Sequence, residues 1–82
     1  MNEWLGHSRQ ELVAKYGEPA RAESDGRTGT IMVYADKVSG QKAPTYDYKI
    51  FYLNKEGKVY STLTKTVNIP PERINMSSFK RY

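Results

Sequence analysis

The chain predicts an α+β fold of two layers, with one short N-terminal helix packed on a three- to four-stranded antiparallel meander. Three observations predict it. A helix start and a helix stop bracket residues 8–17, and beyond Pro19 the apolar spacing changes from helical to alternating. The alternating stretches are joined by connections of hairpin length, too short for the crossovers that parallel strands require.

The helix is called for by its own ends. Ser8 followed by Glu11 forms a capping box, in which the serine oxygen accepts the backbone N–H three residues on and the glutamate reaches back to the serine N–H. Leu12, Val13 and Tyr16 fall on one face, while Arg9, Gln10, Ala14 and Lys15 point elsewhere. Gly17 supplies the left-handed position that ends a helix, and Pro19 blocks continuation. A helix of about nine residues does not persist alone in water, so its apolar face must dock.

The strands follow in order. Residues 20–24 are a short extended stretch, and Asp25, Gly26 and Gly29 mark a turn. Residues 30–38 alternate, with Ile31, Val33 and Ala35 on one face and Met32 and Tyr34 on the other. Gly40 and Pro44 sit in a polar loop. Residues 46–53 give the clearest strand, Tyr46, Tyr48, Ile50 and Tyr52 alternating with Asp47, Lys49, Phe51 and Leu53. A glycine-containing hairpin loop at residues 54–57 leads into a last strand over residues 58–67, where Thr62, Thr64 and Thr66 mark one wet face. The domain is expected to span residues 1–67. Pro70 and Pro71 stop pairing, and residues 68–82 read as a polar, basic, flexible tail.

Composition narrows the function. With 82 residues there is room for one domain and little for a deep cleft. The net charge of +4 is spread along the chain, which reads as diffuse surface lysine and arginine instead of a binding stripe. There is no cysteine, so no disulfide or thiolate metal site is possible, and no run approaches the length of a membrane span. Residue 1 onward lacks the basic and apolar regions of a signal peptide.

No catalytic, metal or cofactor site is expected. His7 is the lone histidine and reads as the residue before a helix cap, with no nucleophile and orienting acid to name around it. Glu11, Glu18, Glu23, Asp25, Asp36, Asp47, Glu56 and Glu72 are scattered without a favoured acid–base pair. Gly26 and Gly29 lack the lysine, serine and helix of a phosphate loop. Tyr46, Tyr48 and Tyr52 with Lys49 and Lys58 suggest a stacking platform for single-stranded nucleic acid, but the same alternation arises because tyrosine is a good strand former. No nucleic acid is expected as a partner.

The stretch from Gly6 through Ser8, Leu12, Val13 and Gly17 to Pro19 resembles the opening of the SmpA/OmlA family of small bacterial outer-membrane lipoproteins, the BamE-like domains. The turn at residues 24–26, Tyr34 and residues 51–59 extend the likeness over about residues 4–60. The resemblance implies a periplasm-facing, lipid-anchored interaction module without catalysis, helices on an antiparallel sheet, and a signal sequence with a lipidated cysteine upstream. A similar unit occurs in proteinaceous inhibitors of β-lactamase. Gly6, Ser8, Gly17 and Pro19 carry over as fold-determining positions, joined by Glu11 from the capping box.

The resemblance also places Met32, Tyr34, Phe51, Leu53 and Val59 against the helix, a choice that spacing alone leaves open. The other face then carries Ile31, Val33, Tyr48, Ile50, Tyr52 and Tyr60, too apolar for water. Either the loop and tail fold over it or it meets another protein, and these six are the candidate interaction face. The expected function is a non-enzymatic interaction or scaffolding domain of the bacterial cell envelope, binding an unidentified protein. Membrane attachment would come only through the upstream lipid. The alternatives are an inhibitor-like module capping an enzyme and a sheet that binds single-stranded nucleic acid.

Overall fold

A computed structural model of the chain describes residues 2–24, 26, 28–38 and 44–79, with side chains for all of these except Asn2 and Ser78. A 3₁₀ turn, Asn2–Trp4, precedes helix α1, Arg9–Tyr16, and the strands are β1, Arg21–Ser24, β2, Thr30–Val38, β3, Thr45–Leu53, and β4, Val59–Val67. Two further 3₁₀ turns, Pro71–Arg73 and Met76–Phe79, follow. The strands form one antiparallel sheet in the order β1-β2-β3-β4, so the fold is α+β with a four-stranded meander. Asp25 of the expected first turn, residues 39–43 of the expected polar loop and residues 80–82 of the expected tail lie outside the described residues.

The helix start is fixed from two directions. Ser8 Oγ accepts the Glu11 N–H at 3.3 Å and Glu11 Oε1 accepts the Ser8 N–H at 3.0 Å, completing the capping box. The Arg9 N–H donates to the Gly57 carbonyl at 2.9 Å, so a helix-end donor that the helix itself leaves unmet is satisfied by the sheet. Gly6 N–H donates to Val59 O and Val59 N–H to His7 O, both at 2.8 Å, laying residues 6–8 along the start of β4. That detour needs φ +87° at Gly6, where a Cβ would meet nothing within 4 Å, so the requirement for glycine is conformational. At the other end Gly17 sits at φ +82°, and its carbonyl accepts the Tyr34 hydroxyl at 2.9 Å.

The Ser8 N–H and then the His7 ring, whose Nδ1 lies 2.6 Å from Glu11 Oε2, hold the Glu11 carboxyl down at about 2. Its folded-state pKa is depressed, so its stabilising contribution is present above the ordinary 4.5 and is lost as pH falls from there toward 2. Ser8→Ala is expected to lower stability by roughly 1 kcal/mol, and Lys15→Ala to leave it nearly unchanged. Urea midpoints read both, and in Glu11→Gln the loss between pH 4.5 and 2 should be shallower than in the parent chain. Equal midpoints for the two alanine variants would remove the energetic role of the cap.

Under the helix, Leu12, with Trp4, Val13 and Tyr16 at its margins, packs on Met32, Tyr34, Phe51, Leu53 and Val59. Phe51 is the hub, its ring 6.0 Å from Trp4, 6.0 Å from Tyr16 and 5.8 Å from Tyr34. Aromatic pairs at these separations add to the burial itself. Trp4 was not foreseen in this core, because residues 2–4 carry no periodic pattern of their own.

The opposite face corrects the expectation drawn for it. Ile31, Val33, Tyr48, Ile50 and Tyr52 are not an open interaction face, because Ile74, Met76 and Phe79 lie over them and share one buried cluster. Nor do residues 69–79 form a free tail. Tyr48 donates its hydroxyl to the Ile69 carbonyl, Arg21 Nη1 donates to the Pro71 carbonyl at 3.1 Å, and Lys65 Nζ stands 5.0 Å from the centre of the Phe79 ring. The physical reason is the alternation of the strands. Both phases of β2 and β3 are apolar, so both faces must be covered, and Ile74, Met76 and Phe79 cover this one. The domain boundary expected at residue 67 therefore moves to the end of the described chain.

The hairpin between β3 and β4 closes on Asn54. Its carbonyl accepts the Gly57 N–H at 2.9 Å, and its Oδ1 accepts the N–H groups of Glu56 and Lys58, both at 3.0 Å. Side-chain capping of this kind is why asparagine suits such a turn. Register shifts between Tyr52 and Leu53, where Leu53 faces Val59 and Tyr52 faces Ser61, which sets Tyr60 apart as the extra residue of the bulge.

Candidate functional site

With both faces covered by the chain itself, the surfaces left over are the sheet edges and the end of the sheet that α1 does not reach. An eight-residue helix is about 12 Å long and a nine-residue strand about 30 Å, so the helix covers less than half of β2 and β3. Beyond it the same face carries Asp36, Asp47, Lys49, Thr64 and Thr66. The composition changes from apolar to polar where the helix stops.

One edge is β4. Of the four large apolar residues that are exposed among the described residues, Leu5, Tyr60, Leu63 and Ile69, three belong to β4 or follow it closely, at 42%, 41% and 43% exposure for Tyr60, Leu63 and Ile69. Tyr60 is thus the single member of the six-residue candidate face that remains at the surface, its ring 6.3 Å from that of Tyr52. Leu63 stands opposite Ile50 and so lies on the same side of the sheet. Among the described residues no strand pairs with the outer side of residues 62–67.

The other site is a shallow cleft of about 220 Å³ where β1 ends against β2, lined by Tyr16, Glu18, Ala20, Tyr34, Ala35, Asp36 and Lys49. Pro19 creates it. Having no N–H to donate, it cannot continue the ladder, and the chain turns away toward α1. Lys49 Nζ lies 3.8 Å from Asp36 Oδ2 and 5.4 Å from the centre of the Tyr16 ring. Asp36 is 78% exposed on its side chain, so that ion pair is weak. Burial raises the Tyr34 phenol above its ordinary value, and the negative charge of Glu18 adds to it. Asp36 and Asp47 face each other across β2 and β3, a like-charged pairing that strands ordinarily avoid.

The chain matches no known protein-family model, no curated protein and no solved structure. Chemistry must come from the geometry. His7 and Glu11 meet at the exposed start of α1, within the capping network described above. No three histidine, cysteine or acidic residues gather to hold a metal ion among the described residues. The tyrosine platform considered for nucleic acid is not available for stacking, since Tyr48 and Tyr52 are buried in the cluster with Ile74, Met76 and Phe79, and Lys49 stands on the other face of β3. The cleft was missed by sequence reading because its residues come from three separate segments, Tyr16 with Glu18, Tyr34 with Asp36, and Lys49.

Proposed function

We propose that this chain is a non-enzymatic protein-interaction or scaffolding domain of a bacterial cell-envelope lipoprotein, similar to the BamE-like SmpA/OmlA domains. The exposed apolar residues Tyr60 and Leu63 on β4 and Ile69 just after it carry the interaction part of this reading. A strand edge bearing large apolar side chains is a natural seat for a protein partner, since backbone groups supply affinity and side chains supply choice. The envelope part rests on the signature around Gly6, Ser8, Gly17 and Pro19, whose glycines take the positive φ values such a start requires.

The two parts are tested separately. A photo-crosslinker in place of Tyr60 should trap one protein species in intact cells, and Leu63→Asp should abolish the product while shifting stability by less than about 0.5 kcal/mol. Crosslinks unchanged by Leu63→Asp would move the interaction away from β4. The protein made from its complete gene should incorporate labelled palmitate and sediment with outer membranes. An unlabelled protein that stays in the supernatant would end the lipoprotein reading and leave the β4 result standing.

A further inference from the structure

We infer that the outer edge of β2 over residues 34–38 accepts an extended basic peptide segment as an added strand, laid end to end with β1 and seated over the Tyr16–Tyr34 cleft. The inference concerns the opposite edge from β4 and does not depend on what binds there.

The backbone carries the first half of the argument. Val33 O accepts the Ala20 N–H at 2.8 Å, so the backbone groups of Val33 face the β1 side. In a strand these groups point the same way at every second residue, which directs the N–H and C=O of Ala35 and Lys37 past the end of β1. Pairing of β1 with β2 stops at Arg21 opposite Val33, and among the described residues no strand lies beside residues 34–38. β2 is nevertheless held straight there, since every residue from Thr30 to Val38 is paired with β3 on its other side. The edge is rigid, regular and one-sided. That is the geometry strand addition uses.

The side chains choose the occupant. On the cleft side of the sheet stand Glu18, Asp36 and, directly across from Asp36, Asp47, with Lys49 the cation among them. A chain with net charge +4 thus has a locally acidic end beside its open edge. A lysine or arginine on an added strand would lay its aliphatic stem along the rings of Tyr16 and Tyr34 and turn its charge to Glu18 and Asp36. Lys49 already shows this arrangement, over Tyr16 and beside Asp36. An acidic segment would instead meet like charge at Glu18 and Asp36.

The probe is a blocked hexapeptide alternating arginine with valine, with the glutamate–valine counterpart as its control, added to the whole 82-residue chain. Amide hydrogen exchange followed by NMR should slow at Ala35 and Lys37 by about fivefold or more at saturation, with β4 unaffected. Glu18→Gln combined with Asp36→Asn should weaken binding about tenfold, as loss of rim charges does. Lys37→Pro removes an outward N–H that no described strand uses, so it should weaken binding about as much while the exchange of β3 amides stays unchanged. Equal binding of the glutamate peptide, or no binding of either, overturns the proposal. So does protection that falls on β4, or protection of Ala35 and Lys37 that rises with protein concentration alone, which would make a second copy of this chain the occupant.

Discussion

Phe51→Ala is expected to cost about 3–5 kcal/mol, the range for deleting a buried aromatic ring. A domain of this size has a total stability of about 4–12 kcal/mol, so the variant should be partly or wholly unfolded at room temperature. The ring is fully buried and meets Trp4, Tyr16 and Tyr34. Truncation therefore opens a cavity between α1 and the sheet, and a helix this short depends on the packing of that face. A urea titration followed by tryptophan fluorescence reads both the midpoint and the loosening of Trp4. A midpoint within about 0.5 kcal/mol of the parent would mean that α1 does not depend on this core.

Tyr48→Ala is expected to cost nearly as much, about 3 kcal/mol or more. Had Tyr48 been part of an open interaction face, its removal would have been clearly milder than that of Phe51. Instead its side chain is 1% exposed, packed beneath residues 74–79, with its hydroxyl donated to the Ile69 carbonyl. Tyr48→Phe separates the two contributions and should cost about 1 kcal/mol, the net worth of one hydrogen bond. Ending the chain after Asn68 should expose Ile31, Val33, Ile50 and Tyr52 together and produce a protein that binds hydrophobic dyes or aggregates. A truncated chain that stayed monomeric with an unchanged melting profile would show that the 3₁₀ turns contribute nothing to the fold.

Local signals made most of the fold legible. Ser8, Glu11 and Gly17 mark where the helix starts and stops by local chemistry, and β2 and β3 declare themselves by alternation of Tyr, Ile and Val with residues of the other face. The covering of the second face was harder to read. Ile74, Met76 and Phe79 stand two and three residues apart between polar neighbours and just after two prolines, a spacing that matches neither a helix nor a strand. Only the excess of apolar side chains on the opposite phase of the sheet implied that something must cover it, and that excess did not distinguish the chain's own end from another protein. The β2 cleft was not legible at all. Its charges become neighbours through the pairing of β2 with β3 and the docking of α1.

The hydrogen bonds that join residues 6–9 to residues 57–59 bear on the order in which the molecule assembles. Partners about fifty residues apart in sequence meet late, because closing so long a loop is entropically unfavourable until the segments between have organised. The β3–β4 hairpin, with its local Asn54 turn, can form first and present Gly57 and Val59 as docking points. Helix α1 is then a product of the finished sheet and not its template. A nascent chain that has not yet reached Gly57 contains every residue of the capping box and still lacks the helix.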